Sequence, residues 1–158
     1  MKAKHLTVEH LWQCERIGTP SVSPDGQWVV VDQSTYSMET NESATQLWLY
    51  STDGKTRKQL TSAGKKNTAP QWSPDGMLIA FCAKRAHDEK GKTADTEAQL
   101  YVIAPDGGEA RRVTTLANGV DGIRWFPDSK HIAAVSWAWP DLKTDAQQAK
   151  REIGRAHV

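Results

Sequence analysis

Apolar residues in this chain come in short blocks of two kinds. "WVVV" (28–31), "MLIAF" (77–81) and "HIAAV" (131–135) are runs with little alternation. A strand with one wet face alternates polar and apolar residues, so an unbroken run predicts a strand covered on both faces. "LWLY" (47–50) and "LYVI" (100–103) follow the first two blocks and are rich in strand-forming residues. Each of these leads to a charged segment, "RKQLT" or "ARRVT". Lys and Arg on a short strand are what a sheet edge uses to discourage pairing with another chain.

The connections repeat as well. "PSVSPDGQWVVV" begins at Pro20, "PQWSPDGMLIAF" at Pro70 and "IRWFPDSKHIAAV" at Ile123. Their anchors Pro24, Pro74 and Pro127 lie 50 and 53 residues apart. Proline presets φ for the second position of a type I turn, Asp suits the third, and Gly takes the left-handed position that follows. This is a hairpin connection with a bulge glycine. "TDG" and "PDGG" supply the later turns. The unit therefore has four strands, buried in its middle and polar at its edge, which describes a propeller blade stacked on its neighbours.

The predicted fold class is all-β: a partial β-propeller of four-stranded antiparallel blades, about two and a half of them, after a short N-terminal helix. Blade one is expected over about 18–62, blade two over about 68–116, and the start of blade three over about 120–151. Trp72 and Trp125 hold matching places before their turns, with Val22 in the first copy; blade-to-blade packing is their expected role. Ser129 stands where the other two copies have glycine, so that turn is expected to be strained or altered. An incomplete third blade is expected to leave a flank that associates or aggregates.

Residues 1–17 form the leader. Thr7 is the expected N-cap, Glu9 lies in the first turn, Leu6 and Leu11 occupy staple positions, and Gly18 is the expected stop. Val8, Leu11, Trp12 and Glu15 share one side that needs a covering surface. Near the other end, "TDAQQAKRE" (144–152) is polar and helix-prone, with Thr144 and Gln147 at capping-box spacing, and reads as a solvated surface helix. The tail "EIGRAHV" (152–158) continues no blade. A common sequencing adapter, read GAG-ATC-GGA-AGA-GCA-CAC-GTC-TGA, encodes those residues and a stop, so the biological sequence is expected to end near Arg151, with no role for His157.

Charge and candidate chemistry change this picture little. Lys and Arg number 20 against 19 Asp and Glu, which gives no basic field for nucleic acid. No apolar run approaches the roughly 20 residues of a membrane-spanning helix. The polar residues His5, Glu9, His10 and Gln13 break up the start, so no cleaved signal peptide and a cytoplasmic location are expected. Cys14 and Cys82 carry no spacing that suggests a bridge, and no metal or cofactor motif is present. Ser21, Ser23 and Ser73 flank turns. "HDE" (87–89) mixes a base with carboxylates but sits in a polar loop, where a solvated connection is expected and not a site.

The ordered phrases "LTVEHLWQCERIGTPSVSPDG", "WSPDGMLIAF", "LYVIAPDGGEARRVT" and "WFPDSKHIAAVSWAWPDLK" together resemble the N-terminal propeller of the prolyl oligopeptidase family. The branch is that of acylaminoacyl-peptidase and dipeptidyl-peptidase-like enzymes, and the resemblance runs over about 6–151. It implies a serine peptidase of short peptides, with a following α/β-hydrolase domain that carries a Ser-Asp-His triad and a G-x-S-x-G elbow. The propeller would screen access to that site. No G-x-S-x-G occurs in these 158 residues, so the chain itself is expected to be non-catalytic. No catalytic, cofactor-binding or metal-binding residue is carried over to it. The expected partners are the hydrolase domain and peptide substrates. A TolB-like propeller that binds proteins and performs no chemistry is the alternative.

Overall fold

The structure, a computed structural model, describes residues 5–86 and 94–150. The 87–89 cluster and the 152–158 tail lie outside the described residues.

Helix α1 (Val8–Gln13) precedes a series of antiparallel strands. Strands β1 (Arg16–Ile17) and β2 (Ser21–Val22) pair with opposite ends of β3 (Trp28–Ser37), so together they form one interrupted inner strand. Its first part falls inside the segment read as leader. The meander continues through β4 (Glu42–Ser51) and β5 (Arg57–Gln59). A second meander repeats it with β6 (Lys66–Trp72), β7 (Ile79–Lys84), β8 (Gln99–Ala104) and β9 (Gly107–Arg112). One parallel bridge, Thr45 with Lys66, joins the two meanders. Strands β10 (Gly122–Trp125) and β11 (Ile132–Val135) form a separate hairpin, and α2 (Asp145–Lys150) follows.

The unalternating runs are buried on both faces, and the reason is visible in the packing. Ile79, Phe81 and Ala83 of β7 face Val30, Leu47 and Leu49 of the first meander. Their neighbours Ala80 and Cys82 point the other way, onto Val120 and Ile123 beside the hairpin. β7 is thus the middle layer of a three-layer stack. Burial pushes the Cys82 thiol up to about 11, with Asp121 adding to the effect, so it packs as a small apolar group.

The repeated turn is built around a serine hydroxyl. Ser73 Oγ donates to the Asp75 carboxylate at 2.6 Å and accepts from Leu78 N–H at 2.9 Å, while Asp75 also accepts from Met77 N–H. Ser23, Asp25, Gln27 and Trp28 make the same bonds. "STDG" (51–54) forms the turn a third time through Ser51 and Asp53. The hydroxyl bond, then the backbone donor, hold each of Asp25, Asp53 and Asp75 below the usual carboxylate range.

In the "FPDS" copy Phe126 has no hydroxyl to offer, and His131 Nδ1 takes up Asp128 at 2.5 Å. That bond leads the effects that pull Asp128 down to about 2. Ser129 does occupy the left-handed region, at φ 57°. Its hydroxyl explains why glycine is absent: Ser129 Oγ accepts from Asp75 N–H at 3.0 Å and ties one turn to the next. Ser129→Ala keeps the strained φ and loses the bond. It should cost about 1 kcal/mol in urea unfolding, whereas Ser129→Gly relieves the strain and should be close to neutral. A destabilisation by glycine equal to that by alanine would contradict this reading.

A second repeated device fixes the edge strands. Thr61 Oγ1 donates to Gln46 Oε1 and accepts from Leu47 N–H. Thr114 does the same with Gln99 and Leu100, 53 residues later. The "QL…T" phrase therefore repeats because a glutamine and a threonine, one of each pair buried, close each meander.

Two expectations are corrected. α1 ends at Gln13, with Cys14 in extended conformation, and Gly18 is not its stop. Gly18 lies beyond β1, where a Cβ would collide with the Asp32 carboxylate. Thr7 does cap the helix, but the residue that completes the capping box is His10. Of the apolar side, Trp12 meets Tyr36 edge-on, while Leu6, Val8 and Leu11 are exposed. Helix α2 is not wholly solvated either. Gln148 is buried and bonds the backbone of Trp139 and Leu142, and Asn118 donates to its side-chain oxygen.

Candidate functional site

The inner strands of both meanders and the hairpin converge on one open cavity of about 750 Å³. Each interrupted or bulged inner strand places proline at the break. Thr19–Pro20 separates β1 from β2, and Ala69–Pro70 breaks the register of β6, where Ala69 has φ 54°. A proline offers no N–H to the sheet ladder, so these breaks turn the backbone toward the cavity instead of pairing it. Asp32 of β3 and Arg124 of β10 are the charged side chains that line it.

Asp32 is half-buried, and its carboxylate has no side-chain or ion-pair partner among the described residues. Burial pushes its carboxyl group above the usual range, and its own backbone N–H offsets only part of that. Arg124 is exposed and likewise unpaired among the described residues. Trp72 lines the same cavity, and its indole N–H is buried without an acceptor. The matching Trp125 donates to the Gln71 carbonyl at 3.1 Å. Both tryptophans pack between layers, as their positions in the repeat imply.

A second cleft of about 520 Å³ opens at the turn end, between Trp28, Leu49 and Trp72, and is rimmed by Asp25, Asp75 and Asp106. Its carboxylates at Asp25 and Asp75 are committed to their own turns. Lys58 spans the rim to the Asp106 carbonyl.

A buried polar cluster lies on the outer side. Asp95 accepts from Tyr101 Oη at 2.5 Å and pairs with Arg112 at 2.6 Å. Arg85 stacks over Phe81 and Tyr101 and donates to Asn67. Burial first, then the bond to Asp95, holds the Tyr101 phenol protonated far above its usual range. Asp95, Tyr101, Arg112, Arg85 and Asn67 each have a partner within the cluster or stack on it, although the Nε atoms of Arg85 and Arg112 are buried without an acceptor, and the cluster reads as structural.

The turn serines are in no position to attack a substrate. Ser23 and Ser73 are buried with both hydroxyl functions engaged, and Ser21 Oγ accepts from Trp72 N–H at 3.2 Å. Among the described residues, no three His, Cys, Asp or Glu side chains gather as a metal site. Both cysteines are free. Sequence reasoning missed Asp32 and Arg124. The one local signal was an Asp placed directly after the apolar run "WVVV".

No protein-family model matches the chain. Dipeptidyl-peptidase 5 of Porphyromonas endodontalis is 35% identical over 127 residues, which cover 80% of this chain and 17% of that protein. The acylaminoacyl peptidase of Pyrococcus horikoshii superposes with a TM-score of 0.63 at 20% identity, over 84% of this chain and 19% of that one. The β-propeller domain of the Trilobed protease from Pyrococcus furiosus gives a TM-score of 0.56 at 19% identity, over 78% and 35%. The structural likenesses establish a propeller-type fold. The chain spans less than a fifth of the length of the curated peptidases it matches first. Taken with the stacked meanders, these similarities show that the chain is homologous to a segment of such peptidases and corresponds to the propeller-like region of a prolyl oligopeptidase-family peptidase.

Proposed function

We propose that this chain is the access-screening part of a serine peptidase that hydrolyses short peptides. On this reading the two meanders are two blades and the β10–β11 hairpin begins a third. The observation that carries the reading is the 35% identity to a dipeptidyl-peptidase across 80% of the chain. The cavity where the inner strands converge supports it, because it offers a passage wall and no assembled nucleophile. The chemistry belongs to an α/β-hydrolase domain outside these 158 residues, and that domain is the principal partner.

The test is to amplify the locus from source DNA and express the whole reading frame. A fluorophosphonate probe should label a serine in a G-x-S-x-G elbow beyond this segment and leave the 158-residue chain unlabelled. Labelling of a serine within this chain, or a full frame without such an elbow, would overturn the proposal.

A further inference from the structure

The Asp32–Arg124 cavity has features that packing alone does not explain. A carboxylate in a half-buried position normally finds a cation or several donors, and buried polar groups left without partners call for a reason. Asp32 has neither, although Arg124 lines the same cavity. The chain does not pair them with each other. Gly18 keeps the carboxylate where it is, since any side chain at 18 would push it away.

An unpaired acid and an unpaired base that line one cavity from different layers suit a ligand that carries both charges. We propose that Asp32 and Arg124 bind the two charged ends of a short peptide, Asp32 taking the α-ammonium group and Arg124 the terminal carboxylate. The inference rests on the access-screening reading and names the ligand for it. About 750 Å³ lies within the range of roughly 300–1,000 Å³ typical of small-ligand sites. Guanidinium–carboxylate recognition is planar and two-pronged, and an ammonium group donates to a carboxylate through charge-assisted bonds. A free oligopeptide carries both charges on one small molecule, which suits a cavity of this volume. No covalent step is involved.

Stability gives an independent readout of the unpaired carboxylate. The folded state favours protonated Asp32, because burial raises its pKa. Ionisation therefore costs the folded state stability as pH rises through the raised value. Asp32→Asn removes that cost. Its Tm should exceed that of the unmodified chain near pH 7 and match it near pH 3, where folded and unfolded chains both hold the proton. A lower Tm for Asp32→Asn at pH 7 would show that the carboxylate has a stabilising partner, and would contradict the site.

Binding is tested on the protein encoded by the full reading frame, with its reactive serine blocked by the fluorophosphonate, by following backbone amide shifts during titration with trialanine, N-acetyl-trialanine and trialanine amide. Trialanine should shift residues around 18–21, 32, 69–72 and 124. Blocking the amine should weaken binding about tenfold, as should Asp32→Asn, and blocking the amine should cost nothing further in that variant. Trialanine amide and Arg124→Gln should behave as the matching pair at the other end. Gly18→Ala retains the charge but displaces the carboxylate, and should weaken trialanine without creating a preference for the acetylated form. Absence of shifts up to about 10 mM, or equal binding of all three peptides, would overturn the inference. Neither result would touch the access-screening reading, which is decided by where the reactive serine lies.

Discussion

Replacing Phe81 with alanine is expected to lower stability by about 3–5 kcal/mol, enough to lower Tm by about 10 °C or more in a chain of this size. The ring is fully buried in β7. It stacks on Tyr101 with centroids 5.9 Å apart and carries the Arg85 guanidinium 5.1 Å from its centre. Its loss opens a void between the two meanders. The second meander cannot close over that void, because its other face is already packed against the hairpin layer. The chain should unfold at a clearly lower urea midpoint in circular dichroism. Ala80→Ser faces the other core and deletes no volume, so a comparable loss from that substitution would show that the interface between the meanders is not the main store of stability.

The second large effect concerns Asp95. Its side chain is wholly buried, between the Tyr101 hydroxyl and the Arg112 guanidinium. Asp95→Ala leaves a partly buried cation and a buried phenol without their acceptor, and about 2–3 kcal/mol should be lost. Tyr101→Phe removes one hydroxyl and should cost about 1–2 kcal/mol. The double variant Asp95→Ala, Arg112→Met removes the stranded charge together with its partner and should recover part of the loss. Urea unfolding of the unmodified chain, Asp95→Ala, Arg112→Met and the double variant checks the cycle. Strict additivity of Asp95→Ala and Arg112→Met would mean that the pair is not coupled.

Local features were legible in the sequence where the cause was local. A Pro-Asp-Gly turn is decided by the φ each residue tolerates, so three copies announced three hairpins. Unbroken runs such as "LIAF" signalled burial on both faces because alternation is the signature of a wet face. Thr7 was readable as a cap for the same kind of reason. Other features depend on residues far apart in the chain. Gly18 looks like a helix stop in a linear reading, but its task is to leave room for Asp32, 14 residues on. The Gln46–Thr61 and Gln99–Thr114 closures pair residues that only the folded meander brings together. Ser129 looked like a defect until its bond across to Asp75 gave it a purpose. Gln148 read as one more polar position of a surface helix, and only the path of 137–142 shows why it is buried.

The candidate site was the least legible part for a related reason. Asp32 and Arg124 lie 92 residues apart, on different layers. Neither stands in a motif, and each alone resembles an ordinary surface charge. Only the convergence of the inner strands sets them on one cavity. A repeat fold makes this outcome general: the repeat specifies the scaffold, and binding groups are the residues in which the copies differ.

On the proposed function, this segment admits peptides by size to a reactive serine carried elsewhere in the protein. The most direct measurement uses the enzyme encoded by the full reading frame and one cleavable sequence in two settings, as a free short peptide and as an exposed loop of a stably folded protein. The account expects the free peptide to be hydrolysed and the loop to survive under the same conditions. Hydrolysis of both at comparable kcat/KM would contradict it.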